Sequence, residues 1–278
     1  MIGHLIAGAK RAFGLHKPGR QLDVFPDDIF LVSYPKSGNT WTRFLVANLV
    51  YPDKQVDFAN INDLTPDPEA LTKRHLARMP RPRIIKSHQY FDPRYRRVIY
   101  IVRDPRDVLL SEYHFDIKRQ IVHEGYPIEN YVARFLGAEG GRVYGNWGEN
   151  VGSWVYVRGN DPGFLLVRYE ALQSDGMREL ARIAEFLGIA QDPQRLALAL
   201  ERSSADRMRD LERKQAHLWS STRETRKDKP FVRAAKAGGW RPELPEKCVA
   251  ALETAWGQVM KDVGYELSAS TLAGAGSG

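Results

Sequence analysis

One stretch limits the fold more than any other. Residues 29–34, IFLVSY, form a continuous apolar run that breaks into the short polar loop PKSGN and resumes at once as a helical repeat. The run reads as a buried strand. Trp41, Phe44, Leu45 and Leu49 recur at helical spacing over residues 40–50. A second strand–loop–helix unit follows. Residues 97–102, RVIYIV, are β-branched, aromatic and bounded by charge, and Pro105 suits the first turn of a helix running to about Lys118. A third strand, residues 164–168, precedes an amphipathic helix over 177–187 with Leu180, Ile183, Ala184 and Leu187 on one face, stopped by Gly188. Residues 83–86, RIIK, read as a short strand. Strands alternating with helices predict an α/β fold: a single domain with a central parallel sheet flanked by helices.

Further helices are expected near residues 69–78, 128–135, 147–157, 194–201, 205–213 and 245–263. Residues 214–241 are strongly basic with few apolar side chains and read as a mobile loop. The 278 residues suit one body over 28–265. Residues 1–27 mix Ile2, Leu5, Ile6 and Phe13 with Lys10, Arg11, Lys17 and Arg20. That extension is too interrupted for a secretory signal and reads as docking on the body or fraying, with peripheral contact to a membrane surface as the other option. Residues 266–278 are small and polar and read as a disordered tail. No apolar run is long enough to span a bilayer.

Lys plus Arg number 41 against 34 Asp plus Glu, a net charge of +7. The excess favours anionic ligands without choosing among them. The single cysteine, Cys248, precludes an internal disulfide and fits a reducing, cytoplasmic setting. The histidines are scattered, so no metal cluster is evident.

The loop after the first strand carries the most chemistry. Placed between a strand and a helix N-terminus, it exposes free backbone N–H groups that suit phosphate or sulfate. Gly38 lets the backbone approach a ligand, Lys36 adds a mobile positive charge, and Ser37, Asn39 and Thr40 add neutral donors. It is not a Walker A loop, because G-x-x-x-x-G-K-[ST] is absent. The alternative, taken alone, is an ordinary turn with a solvated lysine. On the second unit, Arg103 at a strand end and Ser111 on the following helix can face one anion. That spacing means little by itself and gains weight from its place in the second strand–helix unit. Lys86-Ser87-His88 ends another strand, where a histidine can take a proton near neutral pH.

The stretch YPKSGNTW, residues 34–41, resembles the 5′-phosphosulfate loop YPKSGTTW of sulfotransferases that use 3′-phosphoadenosine 5′-phosphosulfate (PAPS). Asn39 is its one departure. The resemblance implies a P-loop-like nucleotide-binding core in which Lys36 contacts the bridge between phosphate and sulfate. Ser37, Gly38, Asn39 and Thr40 would hold the phosphate, and Trp41 would lie against the adenine. The segment with Arg103 and Ser111 is similar to the family's 3′-phosphate motif. KSHQ stands where KTHLP is common, which implies His88 as general base with Lys86 near the transferring sulfate. Tyr169 matches an adenine-contacting tyrosine. Residues 231–241, FVRAAKAGGWR, are similar to the loop RKGxxGDW: Arg233, Gly238 and Trp240 match, while Ala234, Ala235 and Gly239 depart from it. Arg233 would reach the 3′-phosphate. Ala205 stands where many members carry a stacking Phe, and the dimer motif of many animal members is absent, so no oligomeric state follows.

The resemblance implies in-line transfer of a sulfuryl group to a hydroxyl or amine of a small-molecule or carbohydrate acceptor, leaving 3′-phosphoadenosine 5′-phosphate (PAP), with no metal. The acceptor pocket would come from residues 53–82, 114–148 and 214–233, with Tyr90, Phe91, Tyr113, Phe115, Tyr144 and Trp147 as candidate lining or core. Two other classes compete. A kinase-like phosphoryl transferase would need a Walker A loop and a magnesium-binding acid. A basic nucleic-acid-binding protein would use residues 214–241 as its footprint but leave both phosphate loops unexplained, so nucleic acid is not expected as a partner.

Overall fold

Every residue of the strand Ile29–Ser33 (β1) is buried, as its unbroken apolar run requires. The computed structural model describes Arg11 and residues 13–137, 143–219, 221–232 and 236–268. After β1 come the helices Asn39–Val50 (α1), Ile61–Leu64 (α2) and Lys73–Ala77 (α3), then the strands Ile84–Ser87 (β2) and Arg97–Val102 (β3). Pro105–Lys118 (α4), Ile128–Leu136 (α5) and Trp147–Arg158 (α6) lead to Phe164–Arg168 (β4). Tyr169–Ser174 (α7), Gly176–Leu187 (α8), Pro193–Arg202 (α9), Ala205–Gln215 (α10), Trp240–Glu243 (α11) and Glu246–Asp262 (α12) follow.

The sheet order is β2-β1-β3-β4, and each of its pairings is parallel. Alternation along the strands divides the core in two. Phe30, Val32, Val98 and Tyr100 pack against α4, α5, α6 and α12 through residues such as Leu109, Phe135, Trp154 and Leu252. Ile29, Leu31, Ile99 and Ile101 pack against α1, α8 and α9 through Leu45, Leu49, Ile183 and Leu196. Both faces are therefore covered, as a parallel sheet needs. Because β1 has β2 on one side and β3 on the other, the loops after β1 and β3 part in opposite directions and leave a crevice at the carboxyl ends of the strands.

Local signals set the helix ends. Asp104 caps α4, accepting from the Arg106 N–H at 2.9 Å, with Pro105 in the first turn. Asn146 and Glu149 form a capping box on α6. Gly188 ends α8 at a φ of 75°.

Several expectations need correction. The helix foreseen at 69–78 is only Lys73–Ala77, started by the Thr72 hydroxyl, and α2 and α7 were not foreseen. The stretch 214–241, read as a mobile loop, is tied down in part: among its described residues Trp219, Thr222 and Trp240 are buried, and two large rings anchor it despite the high count of cations around them. Of the segment read as a disordered tail, residues 266–268 pack back, with the Ser268 N–H donating to Glu253 at 3.0 Å, and 269–278 lie outside the described residues. The described part of the N-terminal extension docks. Leu22 is buried, and the Gly14 and His16 carbonyls accept from the Arg74 and Lys73 N–H groups. Among the described residues no helix is long and apolar enough to cross a membrane.

Candidate active site

The loop between β1 and α1 is held open by two left-handed residues, Lys36 at φ 65° and Gly38 at φ 92°. Gly38 is the N-cap of α1, and no side chain caps that helix. Its first-turn N–H groups therefore have no side-chain acceptor at the capping position. The loop also lies tight on its neighbour, since a Cβ on Gly38 would stand 2.5 Å from Tyr169 Cδ2. The Lys36 ammonium lies 3.7 Å from the Phe115 ring centroid and 4.7 Å from that of Phe231. Burial lowers its pKa to about 7, Glu112 pulls the other way, and Arg103 lowers it further.

Two loop residues behave differently from expectation. The Asn39 amide turns back to the sheet, donating to the Leu31 carbonyl and the Ser33 hydroxyl at 3.2 Å each. Ser37 is fully buried, its hydroxyl has no partner, and it does not border the cavity. Trp41 borders it, with Nε1 donating to the Ser203 carbonyl at 2.8 Å and its ring edge-on to Tyr169 at 5.5 Å.

Arg103, just beyond β3, joins this loop to the second anion site. Its Nη1 donates to the Lys36 carbonyl at 3.3 Å, its guanidinium lies 4.4 Å from the Tyr169 ring centroid, and its Nε is buried without a partner. Ser111 borders the same cavity. Asp107, one turn before it on α4, accepts from the Gly238 N–H at 2.7 Å and the Trp240 N–H at 3.1 Å, so a carboxylate anchors the closing loop. Burial raises its pKa against the pull of Arg103. Gly238 itself does not border the cavity; Lys236 and Gly239 do. Arg233, with Ala234 and Ala235, lies outside the described residues.

Behind this wall, Arg106 pairs with Asp104 and Glu253, lies 4.0 Å from the Trp240 ring centroid and donates to the Glu266 carbonyl. Glu170 accepts from the Asp104 N–H at 3.0 Å and from the Tyr265 hydroxyl at 2.8 Å.

His88 stands just beyond β2. Its Nδ1 lies 2.7 Å from the Ser33 carbonyl. A carbonyl only accepts, so Nδ1 carries the proton and Nε2 keeps the lone pair. Burial, then the charge of Lys86, lowers its pKa to about 3. Asn150 holds its backbone: Nδ2 donates to the carbonyls of His88 and Tyr144 at 3.1 Å each, and Oδ1 accepts from the Tyr100 hydroxyl at 2.8 Å. The Tyr144 ring packs edge-on to His88 at 5.5 Å, and its hydroxyl donates to Glu69. Lys86 is paired with the buried Asp67 at 2.9 Å.

Lys36, Gly38, Asn39, Thr40, Trp41, Lys86, His88, Arg103, Ser111 and Tyr169 thus border one cavity of about 290 Å³. Sequence reasoning named none of Arg43, Asp67, Met208 and Trp219 on its wall, although Asp67 and Trp219 fall in stretches expected to form the acceptor pocket. Arg43 alone carried a signal, as a charge inside an apolar helical repeat. Of the aromatics considered for the acceptor, Phe115 borders the cavity, Tyr144 packs on His88, and Trp147 is core, its Nε1 donating to the Arg103 carbonyl. The uncapped α1, the orphaned Arg103 Nε and the left-handed cradle fit a ligand with an anion at each of two points. Among the described residues no group of His, Cys, Asp or Glu has the makings of a metal site.

A family model described as a sulfotransferase domain matches residues 26–264. A 3-beta-hydroxysteroid sulfotransferase of Cavia porcellus is 31% identical over 229 residues, 78% of each chain. Sulfotransferase 2A1 of Rattus norvegicus is 33% identical over 215 residues, 72% of this chain and 74% of that one. A mouse sulfotransferase crystallised with PAP superposes with a TM-score of 0.72 at 26% identity, covering 96% of this chain and 94% of the other.

Proposed function

Because the chain belongs to the sulfotransferase family and moves a sulfuryl group from PAPS, leaving PAP, we propose that His88 is its general base and that the loops at Lys36 and Arg103 hold the donor. One observation carries the reading: the two anion cradles are joined by a hydrogen bond, Arg103 Nη1 to the Lys36 carbonyl at 3.3 Å, and open on the cavity that His88 also borders. The N–H groups of residues 38–41 and the Lys36 ammonium serve the 5′ end. Arg103 and Ser111 serve the 3′-phosphate, and Trp41 and Tyr169 serve the adenine.

The donor supplies the sulfuryl group, and the chain supplies position and charge. With Nδ1–H held by Ser33, His88 presents Nε2 to the acceptor hydroxyl and receives its proton as the new S–O bond forms and the bond to the phosphate breaks. Lys36 leaves its two aromatic rings to meet the charge building on the phosphate side, and Lys86 faces the transferring group. Phe115, Met208, Trp219, Phe231 and Val232 line the same cavity and in this reading meet the acceptor. That apolar lining, with a relative named for hydroxysteroids, favours a hydroxylated apolar small molecule over a carbohydrate.

Mutants and an acceptor panel test this. Lys36→Ala and His88→Ala abolish PAP release from PAPS with apolar alcohols and phenols, while His88→Ala still binds PAP; Arg103→Ala weakens PAP binding itself. An active His88→Ala protein removes the base assignment, and sulfation of sugars alone removes the acceptor class.

A further inference from the structure

The cavity is rich in cations, with Lys36, Arg43, Lys86, Arg103 and Lys236 on its wall against two carboxylates, Asp67 and Asp107. Asp107 is spent on the closing loop. Asp67 belongs to the side of the cavity that holds Lys86 and His88, in a polar stretch that no motif marked.

Its carboxylate is tied on both sides. Oδ2 accepts from Lys86 Nζ at 2.9 Å, and Oδ1 accepts from the Glu69 N–H at 2.9 Å. The Lys86 N–H donates to the Pro66 carbonyl at 2.9 Å, which pins the segment to β2. From α1, Arg43 fixes the same segment through neutral oxygens: Nε donates to the Thr65 carbonyl at 3.1 Å, and Nη2 to Asn62 Oδ1 at 2.8 Å. Asp67 is thus the carboxylate that offsets Lys86, with Arg43 close by.

The charged groups that act on His88 are Lys86 on β2, Arg43 on α1 and Asp67 on the segment after α2; Glu69, on the same segment, accepts from Tyr144 and lies 3.9 Å from Lys86. When the imidazole takes the acceptor's proton it becomes a cation in the field of two others. Lys86 and Arg43 oppose that charge, and Asp67 favours it. Burial pushes the Asp67 carboxyl up, but Lys86 and Arg43 pull it below the ordinary carboxylate range, so it is ionised at neutral pH.

We propose that Asp67 is a positioning residue of the transfer reaction: it fixes the Lys86 ammonium beside His88 and offsets the positive field there, so that the imidazole can hold the acceptor's proton. The proposal rests on His88 being the base. The acceptor's O–H proton ends on Nε2, its oxygen bonds to sulfur, and the electron pair of the broken S–O bond leaves with PAP. Asp67 touches neither reacting atom and stays ionised throughout.

The test uses neutral isosteres and full kinetics on the intact chain. Asp67→Asn keeps the shape and one acceptor oxygen but removes the charge. It lowers kcat by about tenfold or more, a small part of what an acid–base group contributes, and leaves the PAP dissociation constant within about threefold. Asp67→Glu recovers most of the rate. In the Lys86→Met background, Asp67→Asn costs less than it does in the wild type, because only Arg43 of the two opposing cations is then left for Asp67 to offset. The double variant removes both members of the Lys86–Asp67 pair and leaves Arg43 on its neutral acceptors, Thr65 and Asn62, so it reads the coupling even where Asp67→Asn melts early. Wild-type kcat in Asp67→Asn overturns the proposal. So does a loss of PAP affinity that matches the loss of kcat and is not recovered by Glu, or a double variant that is slower by the full product of both single effects. His88→Ala runs alongside: transfer by that variant refutes the base and is a separate failure.

Discussion

Lys36 ties one titration to two opposite slopes. Between Phe115 and Phe231, with Arg103 near, its pKa is lowered to about 7, chiefly by burial. In the unfolded chain it is an ordinary lysine at 10.5. Between those two values the unfolded chain binds more protons than the folded one, so the stability of the free protein rises with pH from about 7 upward. Donor binding does the reverse. An anion beside Lys36 favours its ammonium, so the bound pKa rises and affinity depends on supplying a proton. PAP affinity is then flat below pH 7 as far as Lys36 is concerned. Above it, affinity falls by up to about tenfold per pH unit, or about 100-fold by pH 9 if the bound pKa lies higher still. Calorimetric titration of PAP from pH 7 to 9 measures this, above the range where the phosphates themselves titrate near pH 6. Thermal melts of the free protein over the same range give the other slope. Lys36→Met removes the lysine's share of both slopes, since it carries no titrating group. Equal pH slopes in the wild type and Lys36→Met would refute the reasoning, because some other group would then carry the protons.

Two further substitutions test the walls. Gly38→Ala forces an L-residue to φ 92° and sets a Cβ 2.5 Å from the Tyr169 ring. The left-handed backbone costs about 1–2 kcal/mol and the overpacking about 1–3 more, so the melting temperature drops by several degrees. Because the Tyr169 ring lies under Arg103, PAP binding weakens with it; unchanged melting and affinity in that variant contradict the close approach. Asp107→Asn replaces two acceptor oxygens by one, leaving the Gly238 or Trp240 N–H facing an NH₂ group. Stability of the closing loop falls by about 1–3 kcal/mol, seen as faster PAP dissociation in stopped flow, and an unaltered dissociation rate shows that the loop does not depend on Asp107.

What the sequence made legible was local. The runs at residues 97–102 and 164–168, and Pro105 after Asp104, set β3, β4 and α4 because β-branching, charge boundaries and a proline act within a few residues. The candidate site was legible where it lay at strand ends and on the helix that follows, at Lys36 after β1, His88 after β2, Arg103 after β3 and Ser111 on α4, around one cavity. The rest depended on contacts distant in sequence. Asp67 looks like a surface acid in a Pro-rich stretch until that segment lies along β2 and meets Lys86. Asn39 looks like a ligand donor until burial turns its amide to the Leu31 carbonyl. Trp219 sits among cations, and only its packing against Phe58 and Arg43 draws it into the cavity wall.

The support behind Arg103 is assembled from three distant parts of the chain. Asp104 and Arg106 wait for Glu170, then for Glu253, Tyr265 and the Glu266 carbonyl. A nascent polypeptide that has emerged only as far as β4 therefore owns both cradles but not the brace that stiffens one of them. A ligand stabilises the fold that binds it, so a nucleotide held by Arg103 draws on contacts made by residues 170, 253, 265 and 266 as well as on its own cradle.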